Sequence, residues 1–301
     1  MSKGRIAVFL VVGGVLVSAA SFIGGSVGAA IAGREPVPLL VVSPPHIELE
    51  PGRPFGYSFP TNTMLASWLT CLVLIVLSLL ATRRVQLVPT GLQNAAEYLV
   101  EFGSNFIEQM VGKEHERHFF PVVVTIFLFV VTNAWLALLP GYESLRVNGV
   151  PLLRSANTDI NVPLMLALVS AFFVEYMGFR SRGIAYLRTF LDVRRLAAAV
   201  RNFAKGCLRE GLVDAFYGVL YVFVGLMELL SHCVRVASFS FRLFGNMTAG
   251  SVLIGAGIFL VPLVLPSVFY GLEALFGLVQ AVIFASLTAV FGYGAVYYGE
   301  H

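Results

Sequence analysis

Glu228, Ser231, Arg235, Ser238, Arg242 and Asn246 follow one another at steps of three or four, inside a stretch otherwise dominated by Leu, Val and Phe. On a helix that spacing puts them on one narrow face. Glu228, Arg235 and Arg242 recur at intervals of seven, as do Glu273 and Gln280 further on. A guanidinium stays charged at any physiological pH, so burial cannot neutralise it. Holding one at mid-bilayer costs from about 3 kcal/mol on insertion scales to above ~10 kcal/mol in simulations. A single Ser or Asn on a membrane helix is ordinary interhelical glue, but two arginines and a glutamate on one face are not. The stripe reads as a hydrated pathway, and Arg242 as a charge that needs a negative partner.

The elements that must carry these residues follow from hydropathy. The chain is 57% hydrophobic and 12% charged, with a mean hydropathy of +0.83. Apolar runs long enough to cross a hydrocarbon core of about 30 Å lie at roughly 7–31, 63–82, 119–139, 160–179, 212–245 and 252–298, the last broken by proline. The runs do not alternate polar and apolar residues, which excludes a closed barrel. The expected fold is an all-α polytopic membrane protein with five or six transmembrane helices. Basic residues fix its direction. Lys3, Arg5, Arg83, Arg84, Lys113, Arg117 and the dense set from Arg180 to Arg209 flank the spans on one side, against Arg34, Arg53, Arg146 and Arg154 on the other. The positive-inside rule puts both termini and the 180–211 loop in the cytoplasm, with 34–61 and 140–158 outside. Because topology accounts for the basic loop, no nucleic-acid partner is inferred.

Segment by segment, residues 1–33 read equally as a cleavable signal or a retained anchor. Residues 34–61 hold seven of the fourteen prolines and read as an external linker. Residues 62–301 form the membrane domain. Within it, 91–112 alternates apolar and polar residues at helical spacing, the signature of an amphipathic helix on the cytoplasmic face or against a neighbouring subunit. As one helix, 212–245 would extend about 50 Å, and Pro262 and Pro266 leave 267–298 as a second overlong helix. Both are expected to tilt, packed as a C-terminal hairpin. Antiparallel directions place Glu228 about 20 Å to the cytoplasmic side of Arg242, Gln280 near the midplane, and Glu273 about 10 Å further out. Asp159 and Asn161 mark the outer mouth of the fourth span, where Asp159 has helix N-capping as an equal alternative. Cys71, Cys207 and Cys233 offer neither a disulfide framework nor metal-ligand spacing, so no metal or cofactor is expected.

The run from Arg242 through Leu243-Phe244-Gly245-Asn246-Met247 to Ala249-Gly250, with Glu228 before it and Gln280-Ala281 followed by Ile283-Phe284 after it, resembles subunit a of the F-type ATP synthase. Thr125-Ile126-Phe127 and Asp159-Ile160-Asn161-Val162 extend the resemblance, which covers about residue 60 to the C-terminus. It implies a non-catalytic stator channel in a bacterial plasma membrane, beside a rotating c-ring and held by peripheral-stalk b subunits within the rest of the complex. By the same resemblance Arg242 is the ring-facing arginine, Gln280 the midplane glutamine and Glu228 an inner half-channel carboxylate. Glu273 falls where the family carries an outer half-channel His or Glu. Many members have a carboxylate directly after the Ala-Gly pair, where this chain has Ser251. Arg235 reads as a structural partner of Glu228 in preference to a channel residue, and His232 as packing or a pathway wall. The competing reading is an independent ion-coupled secondary transporter, active without partner subunits.

Overall fold

The computed structural model describes residues 3–24, 26–31, 33, 51–57, 59–83, 85–86, 88–139, 141–142, 145–186, 190, 199–202, 208–262 and 265–297. Residues 34–50 of the expected linker and much of the basic 180–211 loop therefore lie outside the described residues. The helices are α1 (Lys3–Gly24), α2 (Ser26–Ile31), α3 (Asn62–Thr82), α4 (Leu92–Val111), α5 (Glu116–Ala137), α6 (Asn161–Arg182), α7 (Leu208–Leu260) and α8 (Leu265–Tyr297). Among the described residues, five helices (α3, α5, α6, α7 and α8) are long and apolar enough to cross a membrane, and Gly13–Ile23 is a shorter apolar helix. The chain is an all-α polytopic membrane protein.

One expectation is corrected. The stretch read as a span at 212–245, followed by another from 252, is a single helix of 53 residues, α7. Glycines such as Gly245 and Gly250 weaken an isolated helix but do not deprive it of a hydrogen bond. Pro262 does, and it also disfavours helical geometry at the residue before it. The last helical bond, Val261 N–H to Gly257 O at 2.9 Å, closes just ahead of it. Pro266 is the second residue of α8, in the first turn, where a missing N–H costs nothing. At ~1.5 Å per residue, α7 is about 80 Å long. A core of about 30 Å obliges it to tilt or to project.

The described residues fall into two compact units. One draws on residues 1–80, 128–162 and 242–282. Here α3 buries Asn62, Thr63, Ala66 and Thr70, while Leu72, Ile75 and Leu79 stay exposed. Small and polar residues packed inward with leucines outward is the arrangement a lipid-facing helix adopts. A β-hairpin, β1 (Arg146–Val147) and β2 (Val150–Pro151), pairs Arg146 with Pro151 and Val147 with Val150. Its two-residue turn has Asn148 and Gly149 at φ 53° and 80°, the left-handed conformations an Asn-Gly turn supplies. Asn148 Nδ2 donates to Pro54 O at 3.0 Å, and Asn62 N–H to Gly52 O at 3.0 Å, tying residues 52–54 to this unit.

The other unit draws on 81–127, 163–241 and 283–301. Its core joins Ile107 and Val111 of α4, Phe119 and Val123 of α5, Phe173 and Met177 of α6, and Ala285 and Ala289 of α8. Gly292 admits the Phe119 ring, since a Cβ there would meet Phe119 Cε1 at 2.5 Å. The amphipathic helix is present as α4: it buries Ile107 and Val111 and exposes Leu92, Tyr98, Val100 and Phe102.

Candidate functional site

The polar stripe of α7 meets α8 in antiparallel order. As numbers rise along α7 its partners on α8 descend: Arg235 over Phe291 and Phe239 against Phe284 in one unit, Asn246 with Gln280 and Gly250 with Glu273 in the other. Two helices in that register form the expected hairpin.

In the unit holding Arg242, α7 buries Leu243 and Met247 and leaves Arg242, Gly245 and Asn246 exposed. Arg242 therefore stands on the exposed face of α7 in that unit. One turn later Asn246 Nδ2 donates to Gln280 Oε1 at 2.9 Å. Gln280 is buried, and its Nε2 has no hydrogen-bond partner among the described residues. An unpaired buried amide is costly, so this N–H is a natural anchor for water.

Glu273 is buried at 8% exposure and lies against the backbone of α7 at Gly250. A Cβ at position 250 would meet Glu273 Oε2 at 1.6 Å, so only glycine there leaves room for the carboxylate. Ser155, Ser251, Tyr270 and Glu273 line one cavity of about 100 Å³, with Met247 and Ala134 among its apolar walls. That volume holds a few waters. Ser251 Oγ donates to Met247 O at 2.7 Å, as membrane-helix serines commonly do. Ser251 and Glu273, separate features of the sequence, thus share one polar cavity.

Asp159 is buried but is not among the residues lining that cavity. One carboxylate oxygen accepts the Asn161 backbone N–H at 3.1 Å and its side-chain amide at 2.8 Å. The other accepts Thr63 Oγ1 at 2.8 Å. It caps the start of α6 and ties it to α3.

In the second unit, Glu228 meets His232 one turn along α7, with Oε1 3.4 Å from Nε2. The other ring nitrogen of His232, Nδ1, is paired with Glu175 Oε1 of α6. The Phe190 ring stands edge-on to the imidazole, centroids 5.2 Å apart. Arg235 stacks its guanidinium 3.9 Å from the Phe291 ring centroid, a cation–π contact, with the charges of Glu228 and Glu175 within electrostatic reach. Tyr186, just beyond α6, is buried; desolvation, reinforced by Glu175 beside it, raises the pKa of its phenol above the ordinary tyrosine value and keeps it neutral. Sequence reasoning missed Glu175. The available signal was a lone carboxylate in the apolar run Phe172-Phe173-Val174-Glu175-Tyr176. Ser155 gave no such signal, since a serine in a loop is unremarkable by type. Among the described residues, no group of His, Cys, Asp and Glu is arranged to hold a metal ion.

A family model described as ATP synthase A chain matches residues 64–292. The ATP synthase subunit a of Gloeobacter violaceus is 32% identical over 230 residues, spanning 76% of this chain and 80% of that protein.

Proposed function

This chain belongs to the ATP synthase A chain family, and from that membership we propose that it is the stator whose two aqueous half-channels and single arginine couple proton flow to rotation of a c-ring. As a member of the family it is a component of the ATP synthase complex, takes part in proton translocation and is a multi-pass protein of the bacterial plasma membrane. The finer assignment is carried by one observation: Arg242 is on the exposed face of α7, one turn from Asn246, which is hydrogen-bonded to the buried Gln280.

An opposite charge within about 4–6 Å favours the ionised form of a carboxylate. A ring carboxylate arriving at Arg242 then gives up its proton to one half-channel. It cannot return to lipid as an anion, so it must be reprotonated from the other half-channel first. Arg242, permanently charged, also repels protons that would pass directly between the routes. The cavity of Glu273, Ser251, Ser155 and Tyr270 supports an outer route; Glu228 and its neighbours support an inner one. Asn246 and Gln280 hold water and the helix register next to the arginine. Asp159 takes the capping role, anchoring α6 at the outer end of that route. The chemistry asked of the chain itself is proton transfer alone. Peripheral-stalk b subunits hold it against the turning ring.

The test is Arg242→Ala and Arg242→Lys in the assembled complex, read as ATP-driven acidification of inverted vesicles. Pumping should disappear in both while the complex still purifies whole, because lysine keeps a charge but not the planar, non-titrating fork. Normal coupling in either variant would overturn the assignment.

A further inference from the structure

Glu175, His232 and Glu228 make a chain of three titratable groups across two helices. His232 uses both ring nitrogens, Nδ1 toward Glu175 on α6 and Nε2 toward Glu228 on α7. The groups are half-buried: side-chain exposures are 30% for Glu175, 18% for His232 and 46% for Glu228. Among the described residues, the charged and titratable neighbours are Arg235, on α7, and Tyr186, just past α6, with Arg182 acting on the tyrosine. The Phe190 ring stands edge-on to the imidazole. A purely structural clip between α6 and α7 would need one contact from the imidazole. An imidazole hydrogen-bonded to one acid and 3.4 Å from a second on its other nitrogen is placed to relay a proton between them.

We infer that Glu175 and His232 extend the inner proton route from Glu228 on α7 to α6, with the imidazole passing protons between the two carboxylates. This rests on the inner-route reading proposed above. In the transfer, protonated Glu228 gives its proton to the unprotonated Nε2, and the Nδ1 proton leaves to ionised Glu175. Glu228 ends ionised, Glu175 protonated, and the ring neutral in its other tautomer. Glu175 then releases the proton to water, and rotation of the ring or proton exchange with water restores the first tautomer. The net charge of the cluster is unchanged by the internal step, and the reverse sequence carries protons inward from the cytoplasm.

The experiment is passive proton conductance of vesicles carrying the assembled complex with its ATPase head removed, driven by a potassium diffusion potential and measured across pH. His232→Gln and Glu175→Gln should each lower conductance about tenfold or more and flatten its dependence on pH. Glu175→Asp should retain both the conductance and the pH dependence. Unchanged flux and profile in the two glutamine variants would reduce the cluster to a clip. So would lower flux with an unaltered pH profile, or loss of assembly in both. Arg242→Ala is scored separately by ATP-driven pumping: if pumping persists there, the channel reading fails whatever the cluster does.

Discussion

Arg242 and Glu273 meet the problem of charge in an apolar protein differently. The arginine faces outward from α7, whereas the carboxylate is folded onto Gly250 and opens into a small polar cavity. Glu273→Gln keeps the size and hydrogen bonding of the side chain but removes its titration. We expect it to slow proton entry from outside by about 10²-fold or more, the scale of a positioned acid–base group. Potential-driven proton uptake by vesicles checks this; unchanged uptake would return Glu273 to a packing role. Asp159 gives the contrasting case. Its oxygens are occupied by Thr63 and by both donors of Asn161. Asp159→Ala should therefore destabilise the assembled protein, at about 1–3 kcal/mol for a lost charged hydrogen-bond set. Asp159→Asn should leave proton flux near normal because an amide oxygen still caps. A large flux defect in Asp159→Asn with unaltered thermal stability would place the residue in the route instead. The sequence marked Arg242 and Glu273 because a charged residue is costly in an apolar run, and Asn246 and Gln280 because they share helical spacing with those charges and a resemblance to a known family. It did not mark Ser155, whose value depends only on what stands opposite.

At the scale of elements, the α7–α8 pairing depends on where side chains are missing. Gly250 admits the Glu273 carboxylate, and Gly277 brings α8 close enough to α5 that a Cβ would meet Ala134 Cβ at 2.7 Å. Gly250→Val should expel the carboxylate and reproduce the flux loss of Glu273→Gln even though residue 273 is intact. Gly271, where a Cβ would meet nothing within 4 Å, is the control. Gly271→Ala should keep flux and raise thermal stability by up to about 1 kcal/mol through helix propensity. Equal behaviour of the two variants would remove Gly250 from the account. Helix periodicity made α4 and the polar stripe readable, yet it misplaced a break near Gly245. Glycine is a weak signal in a membrane, where the backbone has no water to turn to, whereas Pro262 removes a donor outright.

On the scale of the whole molecule, the five membrane-length helices among the described residues expose large apolar residues such as Leu72, Ile75 and Leu79. Alkaline carbonate washing should leave the chain entirely in the membrane fraction, and detergent should release it together with other ATP synthase subunits. Release by carbonate would contradict an integral fold, and purification alone as an active carrier would favour a secondary transporter. Composition and periodicity were enough to read the all-α membrane class, the spans of α3, α5, α6 and α8, the amphipathic helix and the seven-residue spacing of Glu228, Arg235 and Arg242, because hydrophobic cost and helical spacing act locally along the chain. Which residues meet across helices was decided only by packing: Glu273 on Gly250, Asn246 on Gln280, and His232 on Glu175. Those pairings join positions tens of residues apart, and no local pattern encodes the register that brings two helix faces together.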